Sequence, residues 1–466
     1  MNTVLIGVML YVAVQFALGL WVSRNIANET DYLLAGRRLG LGLATFTVFA
    51  TWFGAETIVG AAGNMYAGGL SGDTAEPFAY ALCLIFLGLF FAARLRRAQY
   101  MTFADFFRQR YSGGVERLFV ILIVPAGVLW AAAQVRAFGH VVSVISDVDT
   151  SVAITIAAAV VIIYTTAGGL LATAVTDLVQ GLALLLGLVL LFLAVLDHTG
   201  GVSAGLAAVP AERLDFFSRG DKTFWQTVEA WAIPIAGATL AAEAIARILA
   251  AKSANTARNA AVLGGCLYFS VGLIPVYLGL VGPQLLPGLV DPEQIVPTLA
   301  RDYLTTFVYV LFTGALISAI LSTVDSALLA AGAMISHNVI MPLRTATTEQ
   351  GKVFIARSCV VVLGLIAYLL ALSAEGVYDL IVTAVSFGTA GVFICGVLGL
   401  YTRIGGRLAA YAALLAGAMV WFYGEYLGDW STPYIVSLGC ALLAYLAAAW
   451  YEHDYHRAVM TDRADA

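Results

Sequence analysis

Charge is scarce in this chain: only 11% of its 466 residues are Asp, Glu, Lys or Arg, while 61% are hydrophobic. An ordinary soluble domain carries roughly 25% charged residues, so a water-facing surface cannot be assembled from this composition. A chain embedded in a bilayer is expected instead. No low-complexity linker, nucleotide-binding loop or stretch resembling a soluble domain interrupts it. Cysteine is rare too, and Cys83, Cys266, Cys359, Cys395 and Cys440 lie in apolar segments without C-x-x-C spacing, so they read as packing residues. His453 and His456, one helical turn apart in the acidic C-terminal tail, read as solvated side chains and not as a metal pair. No Ser/His, paired-Asp or His/Glu metal constellation has convincing spacing, so no enzyme is expected. The N-terminus lacks a basic cluster and a small-residue cleavage site, and its first apolar run is expected to be a retained span.

What the chain does have is apolar length. Thirteen apolar segments can be counted, approximately 2–22, 41–66, 77–94, 118–145, 150–167, 170–196, 224–249, 259–282, 303–338, 354–373, 377–400, 408–427 and 432–450. With short connections they predict one all-α polytopic membrane domain over residues 1–466. Arg and Lys concentrate after segments 1, 3, 7, 9 and 11, for example Arg37, Arg38, Arg96, Arg97, Lys252, Arg344 and Arg403. The alternate loops carry mainly acids, including Asp73, Glu76, Asp147, Asp149, Asp291, Glu293, Glu375 and Asp429, with Arg213, Arg219 and Lys222 as basic exceptions. Positive loops stay inside, so the N-terminus is expected outside and the C-terminus in the cytoplasm, in a cell (inner) membrane. The net charge of −5 adds little to this.

Segment 9 contains Ser322-Thr323-Val324-Asp325-Ser326 in an otherwise apolar run from Thr305 to Ile335. A carboxylate at the centre of a membrane helix costs about 2.5–3.5 kcal/mol even on lenient insertion scales, and chains that keep one usually use it for an ion, a proton or a substrate. The cluster points to ion handling. Two other segments carry helix breakers: Gly54, Gly60 and Gly63 surround Glu56 in segment 2, and Pro234 and Gly237 interrupt segment 7. Discontinuous helices at corresponding places of two halves mark transporters built as inverted repeats, here residues 41–196 and 224–400.

Four stretches together resemble the sodium/solute symporter family: the Asp31–Arg37 loop, Tyr164 to Gln180, Arg247 followed by Ala250-Ala-Lys-Ser253, and Ser322 to Ser326. The match spans residues 31–400. The resemblance implies a LeuT-type five-plus-five inverted repeat with one helix before the core and two after it. It also implies a sodium ion, as coupling ion and not as catalytic cofactor, bound by the carbonyls of Ala50, Phe53 and Ala319 and the hydroxyls of Ser322 and Thr323. A hard cation wants about five or six oxygens, and only an interrupted helix has free carbonyls to give. At about 1.5 Å per residue, Thr323 lies roughly 22 Å from the inner end of its helix, and Ala50 to Phe53 about 14–18 Å, both near the midplane. Asp177 lies about 10 Å from its inner end and is expected to border the ion's exit, or with Ser326 to form a second sodium site.

The nearest resemblance is to the high-affinity choline transporter branch, carried by Thr51-Trp52, Leu129–Ala133 and Val142–Asp149. It implies an aromatic cage at Trp52, Tyr80 and Trp130, since a quaternary ammonium donates no hydrogen bond and is attracted by ring faces. A further cage tryptophan of that branch corresponds to Ala241, so the cage lacks a wall. Glu56 and Arg136 share a depth in the outer half, where they form an ion pair or a gate, or Arg136 receives a substrate carboxylate. Glu243 and Arg247, four residues apart, are expected to form an intrahelical salt bridge, with cation binding by Glu243 the alternative. Asp325 is left between lining the inner pathway, pairing locally and tuning the ion. The expected function is sodium-coupled import of a small organic solute, with choline or a related quaternary amine first. An amino acid, betaine or organic acid is the alternative cargo. A channel-like or sensor protein on the same scaffold is the alternative class, disfavoured because only Tyr451 to Ala466 follow the last helix. Solute, sodium and lipid are the expected partners, with no nucleic acid.

Overall fold

The computed structural model describes residues 3–24, 26–54, 56–146, 148–218, 220–344, 348–374 and 377–464; Asp147, Arg219 and Glu375, and the side chain of His456, lie outside the described residues. The regular elements among the described residues are all helices, with an isolated parallel bridge between Leu39 and Ala251. By length and composition ten described helices can cross a membrane, or eleven when the bent pair Leu41–Trp52 and Glu56–Ala67 is taken as one span. That count falls short of thirteen for two reasons. The described apolar part of the first segment is short, Met9–Ser23. Residues 150–167 and 170–196 follow one another without a loop in the stretch Thr150–Thr199, two helices that meet at a kink.

Were it one straight helix, that stretch would be about 75 Å long, more than twice the hydrocarbon core of about 30 Å. It is broken by Gly169, at φ 59° and ψ −179°. A side chain there is excluded twice over, because a Cβ would meet the Tyr32 ring and carbonyl at 2.7 and 2.8 Å and the backbone lies in the glycine-only region. The carbonyls of Thr165 and Thr166, freed at the break, each accept from the Tyr32 hydroxyl at 3.3 Å. Tyr32 thus docks the Asp31–Arg37 loop onto the Tyr164–Gln180 stretch. The same loop reaches the Ala250–Ser253 turn, where Leu39 N–H donates to the Ala250 carbonyl at 3.2 Å and Lys252 N–H donates to Leu39 at 2.9 Å.

The first discontinuity bends Leu41–Trp52 against Glu56–Ala67 by 58°. The second is gentler. Helix Phe224–Ala232 widens into a π-turn at Ile233–Gly237, where Pro234 has no amide to donate, and Ala241 is extended before the helix resumes at Ala242–Ala250. Large apolar side chains such as Leu10, Ile121, Leu186 and Leu443 are exposed on the outside, the surface a bilayer covers. The interior is where the polar residues sit: Asp177, Arg247, Ser322, Thr323, Asp325 and Ser326 are all buried.

Candidate ion and solute site

Three of the four stretches meet around one carboxylate. Asp177 accepts from Thr47 Oγ1 at 2.5 Å and from the Ser322 hydroxyl, and pairs with the Arg247 guanidinium at 3.8 Å, both side chains being fully buried. Arg247 also donates to the Ser326 hydroxyl and, through Nη1, to the Glu243 carbonyl at 3.2 Å. The predicted Glu243–Arg247 side-chain bridge does not form. The guanidinium turns instead to the Asp177 carboxylate, so that neither of those two fully buried charges is left alone. Helix spacing alone could not register that partner on another helix.

Helix Thr306–Ala333 carries the hydroxyl cluster. Thr323 Oγ1 donates to the Ala319 carbonyl at 3.1 Å and Ser326 Oγ to the Ser322 carbonyl at 2.7 Å. The same Thr323 oxygen faces the first discontinuity closely, only 3.2 Å from where a Cβ on Gly54 would stand. At that break Phe53 N–H still bonds to Phe49, at 2.9 Å, but Gly54 N–H turns to the Trp52 carbonyl at 3.0 Å. The Ala50 carbonyl thereby loses its regular helical donor. Ala50 and Phe53 on one side, and Ala319, Ser322 and Thr323 on the other, thus lie on facing segments, with Asp177 bridging them through Thr47 and Ser322. Asp325 sits deeper in the same helix, accepting from the Thr165 hydroxyl through Oδ1, while Oδ2 has no partner among the described residues.

The three aromatics also converge. Trp52 lies between Tyr80 and Trp130, with ring centroids 5.6 and 5.8 Å away. A cavity of about 50 Å³ opens beside them, lined among others by Trp52, Trp130, Ala241, Glu243, Met334 and Thr389. Tyr80 is not on its wall; it buttresses Trp52 and donates to Glu56 Oε1 at 3.4 Å. The Trp52 indole N–H has no acceptor among the described residues. A second cavity shares Ala242, Ala330 and Met334 with the first and reaches Met101, Thr102 and Phe103 in the Arg-rich connection after the third segment.

Glu56 and Arg136 are not brought together as a pair. Arg136 Nη1 donates to the Ala371 carbonyl at 2.9 Å. Equal depth on two helices does not fix which way each side chain points. Beyond the aromatics, Tyr268 donates to Glu76 and shares a 2.5 Å bond with Thr57. Burial pushes the Glu76 carboxyl up to about 7, against the opposing effect of those hydroxyls.

Sequence reasoning missed Thr47, Thr165 and the inward role of Arg247. Thr47 was detectable, lying one turn before Ala50 on the same helix face. Nothing local marks Thr165 as the partner of a carboxylate 160 residues away.

The family model for the sodium:solute symporter family matches residues 32–419. The chain is 29% identical over 401 residues to "High-affinity choline transporter 1" of Drosophila melanogaster, covering 80% of this chain and 63% of that protein. It is 29% identical over 400 residues to the Homo sapiens "High affinity choline transporter 1", covering 81% and 69%. Among solved structures it resembles a Na+-coupled sialic acid symporter in a substrate-bound outward-open state, with a TM-score of 0.86 at 16% identity over 96% of this chain and 97% of that one. That likeness shows a shared fold, a LeuT-type all-helical transporter architecture. A match over most of its length places the chain in the sodium:solute symporter family, a family of membrane transporters and not of enzymes.

Proposed function

We propose that the chain is a sodium-coupled symporter that imports a small organic solute by alternating access, the solute being choline or a related quaternary amine. The observation that carries the ion is the facing of the broken backbone at Ala50–Gly54 and the Ala319–Thr323 turn. Backbone freed at one segment and hydroxyls on the other offer a hard cation oxygens near the bilayer centre. Sodium bound there holds the two segments together and favours solute binding. By linkage the solute strengthens sodium binding by the same factor. Asp177, tied to Arg247, borders the ion's cytoplasmic exit; a second ion at Ser326 would have to displace the guanidinium. For the solute, Trp52 and Trp130 on one cavity wall and the choline-transporter names of two relatives support a quaternary amine, while Tyr80 braces the cage from behind.

The topology belongs to the same reading. Dividing the stretch Thr150–Thr199 at Gly169 and counting the first segment gives thirteen spans, with inverted repeats at 41–196 and 224–400. The N-terminus is outside and the C-terminus in the cytoplasm of the cell membrane, so the second cavity is the inward path. Sodium-gradient-driven accumulation of solute in vesicles separates a symporter from a channel-like or sensor protein. Thr323→Ala should abolish sodium-dependent uptake while Thr323→Ser retains it. Unchanged sodium dependence in Thr323→Ala removes the site.

A further inference from the structure

We propose that Glu243 is the residue that selects the charge of the solute, holding a small organic monocation against Trp52 and Trp130 and rejecting zwitterions and acids. This rests on the symporter reading of the cavity. Among the described residues lining that cavity Glu243 is the only ionisable one, and its wall holds no Lys, Arg or His. Its carboxylate accepts from its own backbone N–H and keeps further lone pairs for a ligand. Arg247, the nearest candidate partner on its helix, sends its guanidinium to Asp177 and Ser326 and touches only the Glu243 backbone carbonyl. No other side chain among the described residues donates to the Glu243 carboxylate.

The chain has placed this charge where a membrane protein can hold one. Glu243 lies in the first turn of the helix that resumes at Ala242, after the extended Ala241, and a helix N-terminus favours negative charge. Ala241 beside it leaves space in the wall. A ring face attracts a cation of any substitution, but a carboxylate also accepts hydrogen bonds. The combination of Glu243 with Trp52 and Trp130 therefore suits a protonated tertiary amine as well as a quaternary one. A betaine or amino acid would bring its own carboxylate into a cavity with no cation to receive it, beside a like charge.

The test is sodium-driven uptake of radiolabelled choline by the full chain in proteoliposomes, with dimethylethanolamine and glycine betaine as competitors. The wild type should be inhibited by dimethylethanolamine and ignore betaine. Glu243→Gln should raise the KM for choline roughly tenfold or more, the loss expected for a charged partner. It should leave sodium activation unchanged and admit betaine as a competitor, a gain that misfolding cannot produce. Glu243→Asp should keep betaine excluded with a smaller rise in KM, and serves if the Gln variant does not fold. A choline KM within about twofold of wild type in Glu243→Gln, with betaine still excluded, overturns the role of Glu243 and leaves the symporter reading standing. A wild type that takes up neither cation in a sodium gradient overturns the choline reading together with this one.

Discussion

Replacing Arg247 by Ala removes a guanidinium that lies 3.8 Å from Asp177 with both side chains at 0% exposure. At an effective dielectric of about 20, charges at that separation attract by roughly 4 kcal/mol, and breaking a buried pair from one side typically costs about 3–5 kcal/mol. Thr47 and Ser322 would still donate to the stranded carboxylate, but neither brings a charge. The rate of unfolding in mild detergent at fixed temperature needs no reversibility, and each 1.4 kcal/mol appears there as about tenfold. Arg247→Ala and Asp177→Asn should each speed unfolding by about a hundredfold or more. The double variant, with neither charge left unpaired, should be slower than the product of the two factors by at least about tenfold. Arg247→Lys should fall between, since an ammonium keeps the charge but lacks the planar fork whose Nη2 serves Asp177 and Ser326 while Nη1 holds the Glu243 carbonyl. If the two single factors multiply to within about twofold in the double variant, the residues do not act as a pair and the electrostatic account is refuted.

Two further outcomes follow from the geometry. Trp130→Ala should weaken choline binding far more than Trp130→Phe, which keeps a ring face; equal losses in a sodium-dependent binding assay would mean packing and not cation recognition. Gly169→Ala should lower the apparent melting midpoint by an amount corresponding to at least about 2 kcal/mol, because it forces a side chain into a glycine-only conformation against Tyr32. A midpoint equal to wild type would mean that the break does not need that glycine.

The polar residues that organise the site were legible because a bilayer makes polarity conspicuous. Ser322 to Ser326 and Asp177 stand out from apolar runs, and Gly54 and Pro234 announce broken helices, so the ion-handling region could be located from spacing and depth. Partners across helices were not legible. Arg247 reads naturally as the i+4 neighbour of Glu243, and only the packed bundle reveals Asp177 as the nearer charge. Glu56 and Arg136 match in depth yet do not meet, since depth along two helices leaves their rotation free. The fifth and sixth apolar segments follow one another with no loop between them, and only the turned backbone at Gly169 divides the stretch Thr150–Thr199.

Composition by itself determined that this chain lives in a membrane, because 11% charge cannot clothe a surface in water. Residue order within its apolar segments marked where the backbone would break and where oxygens would gather. Which of those oxygens and charges touch was decided by the tertiary structure alone, since that depends on how each helix is turned about its axis. That rotation paired Arg247 with Asp177, set Thr323 against Gly54, and left Glu243 facing a cavity beside two tryptophans.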